Sequence, residues 1–268
     1  MKKRLPIGLS DFKKIIDQDY AYIDKTLLIE ELFEKGGKVA LISRLRRFGK
    51  TLNLSMLRYF FEKGKEDTSY LFKNLEIWKK EKYRELQGKF PVIFITLKDV
   101  KHATWEEAFA AIRRLIGEEF GKYRYLLEGD LLTNEEKEDY YKIIQNQADQ
   151  TLIEESLRLL SKWLYRYHDK EVILLIDEYD TPAHAAHVGE YYDKLIEFLR
   201  GWLSAALKDN SYLEQGVLTG ILRIAKESIF SGLNNIRTFT ILDNTFSDKF
   251  GLTEPEVKQL LETYTHRN

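Results

Sequence analysis

Five short apolar runs recur along the chain, each separated from the next by a longer stretch of helical periodicity. The runs cover residues 38–43, 91–97, 172–177, 216–220 and 237–242. Residues 39–42, 92–95 and 172–176 within them are apolar throughout rather than alternating, as strands covered on both faces are. Apolar residues at spacings of three and four predict helices over 51–62, 105–120, 135–146, 151–167 and 191–208. Short buried strands alternating with helices are the pattern of βαβ units, so the expected class is α/β with a parallel sheet. A chain of 268 residues with 44% hydrophobic content is one large or two modest domains and can bury its own core. Four prolines and no Ser/Gly-rich stretch give no flexible linker, and no internal repeat is visible.

Composition removes several kinds of chemistry. With no cysteine, a disulfide framework, thiol catalysis, iron–sulfur clusters and thiolate zinc sites are excluded, and five histidines leave little for a metal cluster. Lys and Arg number 42 against 43 for Asp and Glu, so a net charge of -1 supplies no overall field toward nucleic acid or an anionic membrane. The first eight residues are basic but lack the apolar core of a signal peptide, and no run reaches the roughly 18 apolar residues of a membrane span. A soluble cytoplasmic protein is expected. Locally the charge is uneven. Residues 36–61 hold six bases and no acid, whereas 127–155 hold nine acids and two bases. The acidic run reads as a solvated helical face. The basic run surrounds a turn.

That turn is Arg44-Leu-Arg-Arg-Phe-Gly-Lys50-Thr51, with a buried strand before it and an amphipathic helix after it. Strand, loop and helix in this order make a P-loop. Polyphosphate is densely anionic, and N–H groups at a helix N-terminus point toward it along a favourable dipole. Arg46, Arg47, Phe48, Gly49, Lys50, Thr51 and Leu52 are therefore the candidate nucleotide-binding run. Gly49 lets the backbone approach closely, Lys50 can reach the β and γ phosphates, and Thr51 can ligate Mg²⁺. The usual pattern has Gly where this chain has Arg44, so the loop would open without the usual φ freedom. Taken alone, the run is equally an ordinary strand-to-helix turn with surface arginines.

A second signal comes from Glu171-Val-Ile-Leu-Leu-Ile-Asp177-Glu178-Tyr-Asp180. Five aliphatic residues ending in adjacent carboxylates look like a central parallel strand with acids at its carboxyl edge, where open α/β sheets bind ligands. Asp177 would hold Mg²⁺ together with Thr51, and Glu178 would orient and deprotonate an attacking water, which points to hydrolysis. The plain alternative is a buried strand ended by a charged turn, with Asp180 as a cap. In a sheet ordered 5-1-4-3-2, Thr219 at the end of the fourth strand lies between the loop strand and the Asp-Glu strand, beside the γ-phosphate. Arg223, like Arg46 and Arg47, could neutralise charge on the transferred phosphoryl group. Against these stand a satisfied core hydroxyl for Thr219 and a surface ion pair for Arg223. The loop and the acidic strand end together point to ATP.

These motifs, with Ile7-Gly-Leu-Ser-Asp-Phe12, Tyr22-Ile-Asp24-Lys25-Thr26, Ile176-Asp-Glu-Tyr-Asp-Thr-Pro182 and the run from Leu218 to Asn234, give the chain its resemblance to a known family. It resembles the AAA-ATPase-like proteins of bacteria and archaea, P-loop ATPases of the additional-strand catalytic-glutamate class. The resemblance implies a P-loop NTPase three-layer sandwich around a mostly parallel sheet, ATP and Mg²⁺ as ligands, and the same roles for Lys50, Thr51, Asp177 and Glu178. It places Tyr22 and Asp24 on the adenine side of the pocket. The family usually has Arg at the position of Arg44 and often Pro where this chain has Leu45. Residues 1–35 would lead into an ATPase domain at 36–245, with an acidic helical insertion at about 125–165. Residues 246–268 would begin a C-terminal helical extension. Many members continue into a PD-(D/E)XK nuclease-like domain. No strand followed by Glu-x-Lys with an upstream Asp remains here, so cutting of DNA by this chain is not expected, and it reads as a short member or a fragment.

The expected function is Mg²⁺-dependent ATP binding and hydrolysis, acting as a switch for an effector domain in cis or for a protein partner. The alternatives are a nucleic-acid-binding module using Arg44, Arg46, Arg47, Lys50 and Arg58, or an interaction protein that keeps ATP unhydrolysed. Assembly into dimers or rings is left open by the sequence, and no membrane partner is expected.

Overall fold

The computed structural model of the chain describes residues 2–64, 66–221, 229–230 and 234–265. The apolar runs become β1 (Val39–Ser43), β2 (Val92–Thr96), β3 (Val172–Asp177), β4 (Leu213–Gly220) and β5 (Ile236–Phe239). Every neighbouring pair is parallel and the order is β2-β3-β4-β1-β5, which from the opposite edge reads 5-1-4-3-2. Every residue of β1 and β3 is buried. That is why their sequences do not alternate.

Helices cover both faces. In chain order they are α1 (Phe12–Asp17), α2 (Leu28–Lys35), α3 (Lys50–Phe61), α4 (Glu81–Arg84), α5 (Trp105–Gly121), α6 (Asn134–Ile144), α7 (Gln150–His168), α8 (Thr181–Val188), α9 (Tyr192–Leu207) and α10 (Glu254–Thr265). The two-residue period of a strand divides the core between the faces. On β3, Val172, Leu174 and Ile176 pack with residues of α5, α7 and α9, whereas Ile173 and Leu175 pack with residues of α1, α2 and α3. The chain ends share the second core, because Phe12 and Leu28 belong to one cluster with Phe246 and Phe250. No helix among the described residues is long and apolar enough to cross a membrane.

Several boundaries differ from the sequence reading for identifiable reasons. The fifth strand stops at Phe239, because the Thr240 N–H and hydroxyl both donate to the Asp243 carboxylate at 2.6 and 2.8 Å and turn the chain outward. Ile241 and Leu242 are left exposed. The fourth strand begins at Leu213, with a register shift against Val172 and Ile173. Helix α8, too short to give a clear period, follows the Asp-Glu pair and starts with proline in its first turn. The acidic run forms α6, with a capping box in which Thr133 accepts from the Glu136 N–H and Glu136 from the Thr133 N–H. Glu135 and Glu138 are solvated, but Tyr140 and Ile143 are buried. Glu136 also accepts from Lys162 and Arg166 of α7, both at 2.8 Å.

Candidate functional site

The first strand ends at Ser43, and the Arg44 N–H continues its ladder by donating to the Gly220 carbonyl at 3.1 Å. The left-handed residues of the following loop are Arg47 (φ 67°) and Gly49 (φ 75°), and Arg44 is not among them. The loop thus opens at Arg44 without a left-handed residue, and the left-handed turn comes three residues later. Arg44 has another task. Its side chain folds inward, 2% exposed, donating to the carbonyls of Ser43 (2.9 Å), Phe239 (3.1 Å) and Phe246 (3.3 Å) and lying over the Phe250 ring. The guanidinium thus ties the ends of β1 and β5 to the segment that follows them.

The five-cation cluster of the nucleic-acid reading does not form one face. Arg44 and Lys50 are buried, and Arg58 pairs with Glu62 one turn along α3 at 3.0 Å. Arg46 and Arg47 remain exposed.

Gly49 immediately precedes α3, and a Cβ built there would meet nothing within 4 Å, so the backbone borders open space. Lys50 folds back over the loop, its ammonium donating to the Arg44 and Leu45 carbonyls at 3.1 Å each. Burial lowers its pKa, and the nearby charges of Glu178, Asp177 and Asp180 oppose that shift. Thr51, at the second helical position, donates to Asp177 Oδ2 at 2.8 Å, although 126 residues separate the two.

Asp177 is fully buried at the carboxyl end of β3. Thr219 of β4 donates to Oδ1 at 2.7 Å, and Thr96 of β2, its partner in register, lies 3.4 Å from Oδ2. Burial raises the Asp177 pKa, while the hydroxyls of Thr219 and Thr51 pull it back. A desolvated carboxylate beside a hydroxyl is a hard-oxygen donor set of the kind Mg²⁺ takes together with phosphate oxygens. Among the described residues no three His, Asp or Glu side chains converge to cage a metal by themselves.

Glu178 turns sharply out of the strand, with φ 51°, and its Oε2 accepts from the Thr181 hydroxyl at 3.0 Å. A non-glycine residue held in the left-handed region stores strain of a kind that recurs at functional sites. Asp180 Oδ2 accepts from the Ile221 N–H at 2.8 Å and so joins the ends of β3 and β4. Gly220 is required there, because a Cβ would lie 2.6 Å from the Tyr179 ring and 2.7 Å from Asp180 Oδ1.

Tyr22, Arg47, Phe48, Gly49 and Leu52 line a cavity of about 260 Å³ beside the loop. Asp24 does not line it. Its Oδ1 accepts from the Thr26 N–H and hydroxyl at 2.8 and 2.6 Å, and its Oδ2 from the Glu76 N–H at 2.7 Å, which braces the N-terminal loop. Arg223 lies outside the described residues. Sequence reasoning did not single out Thr96, Thr181 or the inward role of Arg44. The strand order did contain the signal for Thr96, since a hydroxyl ending the strand beside β3 must face the same edge.

A curated protein of Azotobacter chroococcum mcd 1, described as an uncharacterized protein in the vnfD 5' region, is 28% identical over 261 residues. The match covers 96% of this chain and 44% of that protein, so the chain spans less than half the length of this relative. No solved structure matches the chain. Lys50, Thr51, Asp177, Glu178 and Thr219 all fall within residues 6–230, the part that matches the family described as predicted AAA-ATPase, and the chain belongs to that AAA-ATPase-like family.

Proposed function

We propose that this chain is a Mg²⁺-dependent ATPase whose nucleotide state is passed to an effector domain or partner. The observation that carries this reading is the 2.8 Å contact between Thr51 and Asp177, which joins a phosphate-type loop to an acidic strand end at one sheet edge. Lys50 would leave the two loop carbonyls for the β and γ phosphates. Its partly desolvated ammonium gains more from a polyanion than from neutral dipoles. Thr51 and Asp177 would hold Mg²⁺, which neutralises charge on the phosphate oxygens. Glu178 would accept the proton of the water that attacks the γ-phosphorus, as the bond to the bridging oxygen breaks and ADP leaves. The Thr181 hydroxyl fixes one oxygen of that carboxylate and leaves the other for water.

Mg-ATP binding and turnover of the wild type, Lys50→Ala and Glu178→Gln test the reading. Glu178→Gln should keep its ATP affinity and lose about 10²- to 10⁴-fold in turnover. Equal ATP affinity in wild type and Lys50→Ala would remove the loop assignment. Undiminished turnover in Glu178→Gln would remove the role of that carboxylate.

A further inference from the structure

An ionised carboxylate has about four in-plane lone pairs, two on each oxygen, and a metal can take only those that hydrogen bonds leave. Around Asp177, threonine hydroxyls from three different elements share these positions. Thr219 donates to Oδ1 at 2.7 Å and Thr51 to Oδ2 at 2.8 Å. Thr96 donates to Oδ2 as well, at 3.4 Å. Among these contacts two meet Oδ2 and one meets Oδ1, so the lone pair left over lies on Oδ1. The adjacent carboxylate adds nothing here, because Glu178 leaves the strand at φ 51° and accepts from Thr181 instead.

The two hydroxyls on Oδ2 are not equivalent. Thr51 is a metal ligand in the function proposed above, whereas Thr96 belongs to β2, on the side of β3 away from the loop strand. Strand pairing sets its place. Thr96 is the register partner of Asp177, and Leu97, the next residue, donates its N–H to the Asp177 carbonyl at 2.9 Å. On the other side the Tyr179 N–H donates to the Thr219 carbonyl at 3.1 Å, so the backbone carrying Asp177 is clamped between β2 and β4. The carboxylate keeps only rotation about its own side-chain bonds. A relaxed hydroxyl–carboxylate bond is roughly 2.8 Å long, so the carboxylate has a short travel toward β2 before the Thr96 hydroxyl stops it. Branching at Cβ restricts χ1 of threonine and keeps that hydroxyl in place.

This distribution of lone pairs bears on which cation fits. Mg²⁺ demands near-ideal octahedral geometry, whereas Ca²⁺ accepts more oxygens and readily takes both oxygens of one carboxylate. We infer that Thr96 is a positioning residue that sets cation specificity: by occupying the second lone pair of Asp177 Oδ2 it confines the cation to Oδ1, which favours Mg²⁺ over Ca²⁺. This rests on the metal role proposed above for Thr51 and Asp177, and the test separates the two.

Binding of the β,γ-imido analogue of ATP, which is not hydrolysed, is measured by calorimetry with Mg²⁺, with Ca²⁺ and with EDTA. The proteins compared are the wild type, Thr96→Val, Thr96→Ala, Thr96→Ser and Lys50→Ala. Valine keeps the branched shape of threonine without its hydroxyl, alanine removes both, and serine keeps the hydroxyl alone. The wild type should bind the Mg²⁺ complex more tightly than the Ca²⁺ complex. Thr96→Val and Thr96→Ala should each lower that affinity ratio by at least about threefold, the scale of one hydroxyl contact, and leave binding in EDTA unchanged. Thr96→Ser should keep the wild-type ratio, and Lys50→Ala should weaken binding under all three conditions. An unchanged ratio in the hydroxyl-free variants, or an equal fall in Thr96→Ser, overturns the inference and leaves the loop reading to stand on Lys50→Ala. Equal losses with Mg²⁺, Ca²⁺ and EDTA assign Thr96 to packing and overturn it too, as does a wild type that binds the two complexes equally. A wild type whose affinity ignores both cations, or equals that of Lys50→Ala, overturns the reading of the site and the inference with it.

Discussion

Among the described residues, the side chains that hydrogen-bond Asp177 are hydroxyls, and burial raises its pKa. The sign follows from linkage: with the folded pKa above the unfolded one, the ionised carboxylate costs stability, and that cost grows as pH rises through the carboxylate range. Under the proposed function, a cation would relieve that cost. Asp177→Asn is therefore expected to stabilise the ligand-free protein by about 1 kcal/mol, as removal of a functional charge often does, and, under the proposed function, to cancel the rise in melting temperature expected of the wild type with Mg-ATP. Thermal melts with and without Mg-ATP measure both effects. A ligand-free variant that melts below the wild type would mean that the lost hydroxyl bonds outweigh the relieved charge. Lys50 follows the same logic with opposite charge: burial lowers its pKa, and its donors rest on carbonyls that a phosphate can replace.

At the scale of elements, the central strands and long helices were legible because burial on both faces and a period of 3.6 leave marks on composition. The element joints were not. Nothing local in the residues around Thr240 separates a continuing strand from the Asp243-bonded turn that ends β5, and α8 is only eight residues long. The meeting of Thr51 and Asp177 at one sheet edge could be read because each belongs to a motif with a fixed place on a strand or helix. The contacts of Lys25 with Glu256 and of Asn53 with Lys249 span 231 and 196 residues, and neither pair carries such a mark. Helix α6 shows how far charge counting goes, since its acids are solvated except for Glu136. Burial pushes the Glu136 pKa up, but Lys162, the Thr133 N–H and Arg166 outweigh it and hold it at about 2. Stability from this joint is thus present above about pH 4.5 and is lost as pH falls toward 2. Glu136→Gln should cost about 1 kcal/mol at pH 6, the scale of a screened pair with a capping bond, and much less near pH 2. Urea unfolding at the two pH values checks this, and a pH-independent difference would assign the effect to packing.

For the whole molecule, the sequence suggested a leading segment, a central domain and a trailing extension, yet the first and last of these share a core. Phe246 is fully buried and meets Phe239 edge-to-face at 4.8 Å, within the cluster that holds Phe12 and Leu28. Phe246→Ala is expected to cost about 3–5 kcal/mol in a single unfolding transition, as a large cavity in a common core does. Chemical denaturation measures it, and a loss below about 1 kcal/mol would make the segment from Phe246 onward an appendage. Arg44 joins these same parts, and it constrains how such a loop can change over generations. Arg44→Gly would give the loop its commoner spelling, but it would leave a guanidinium-sized void under β1 and strand the carbonyls of Phe239 and Phe246. A glycine at this position therefore suits only a chain whose Phe246 to Phe250 segment satisfies those carbonyls in another way.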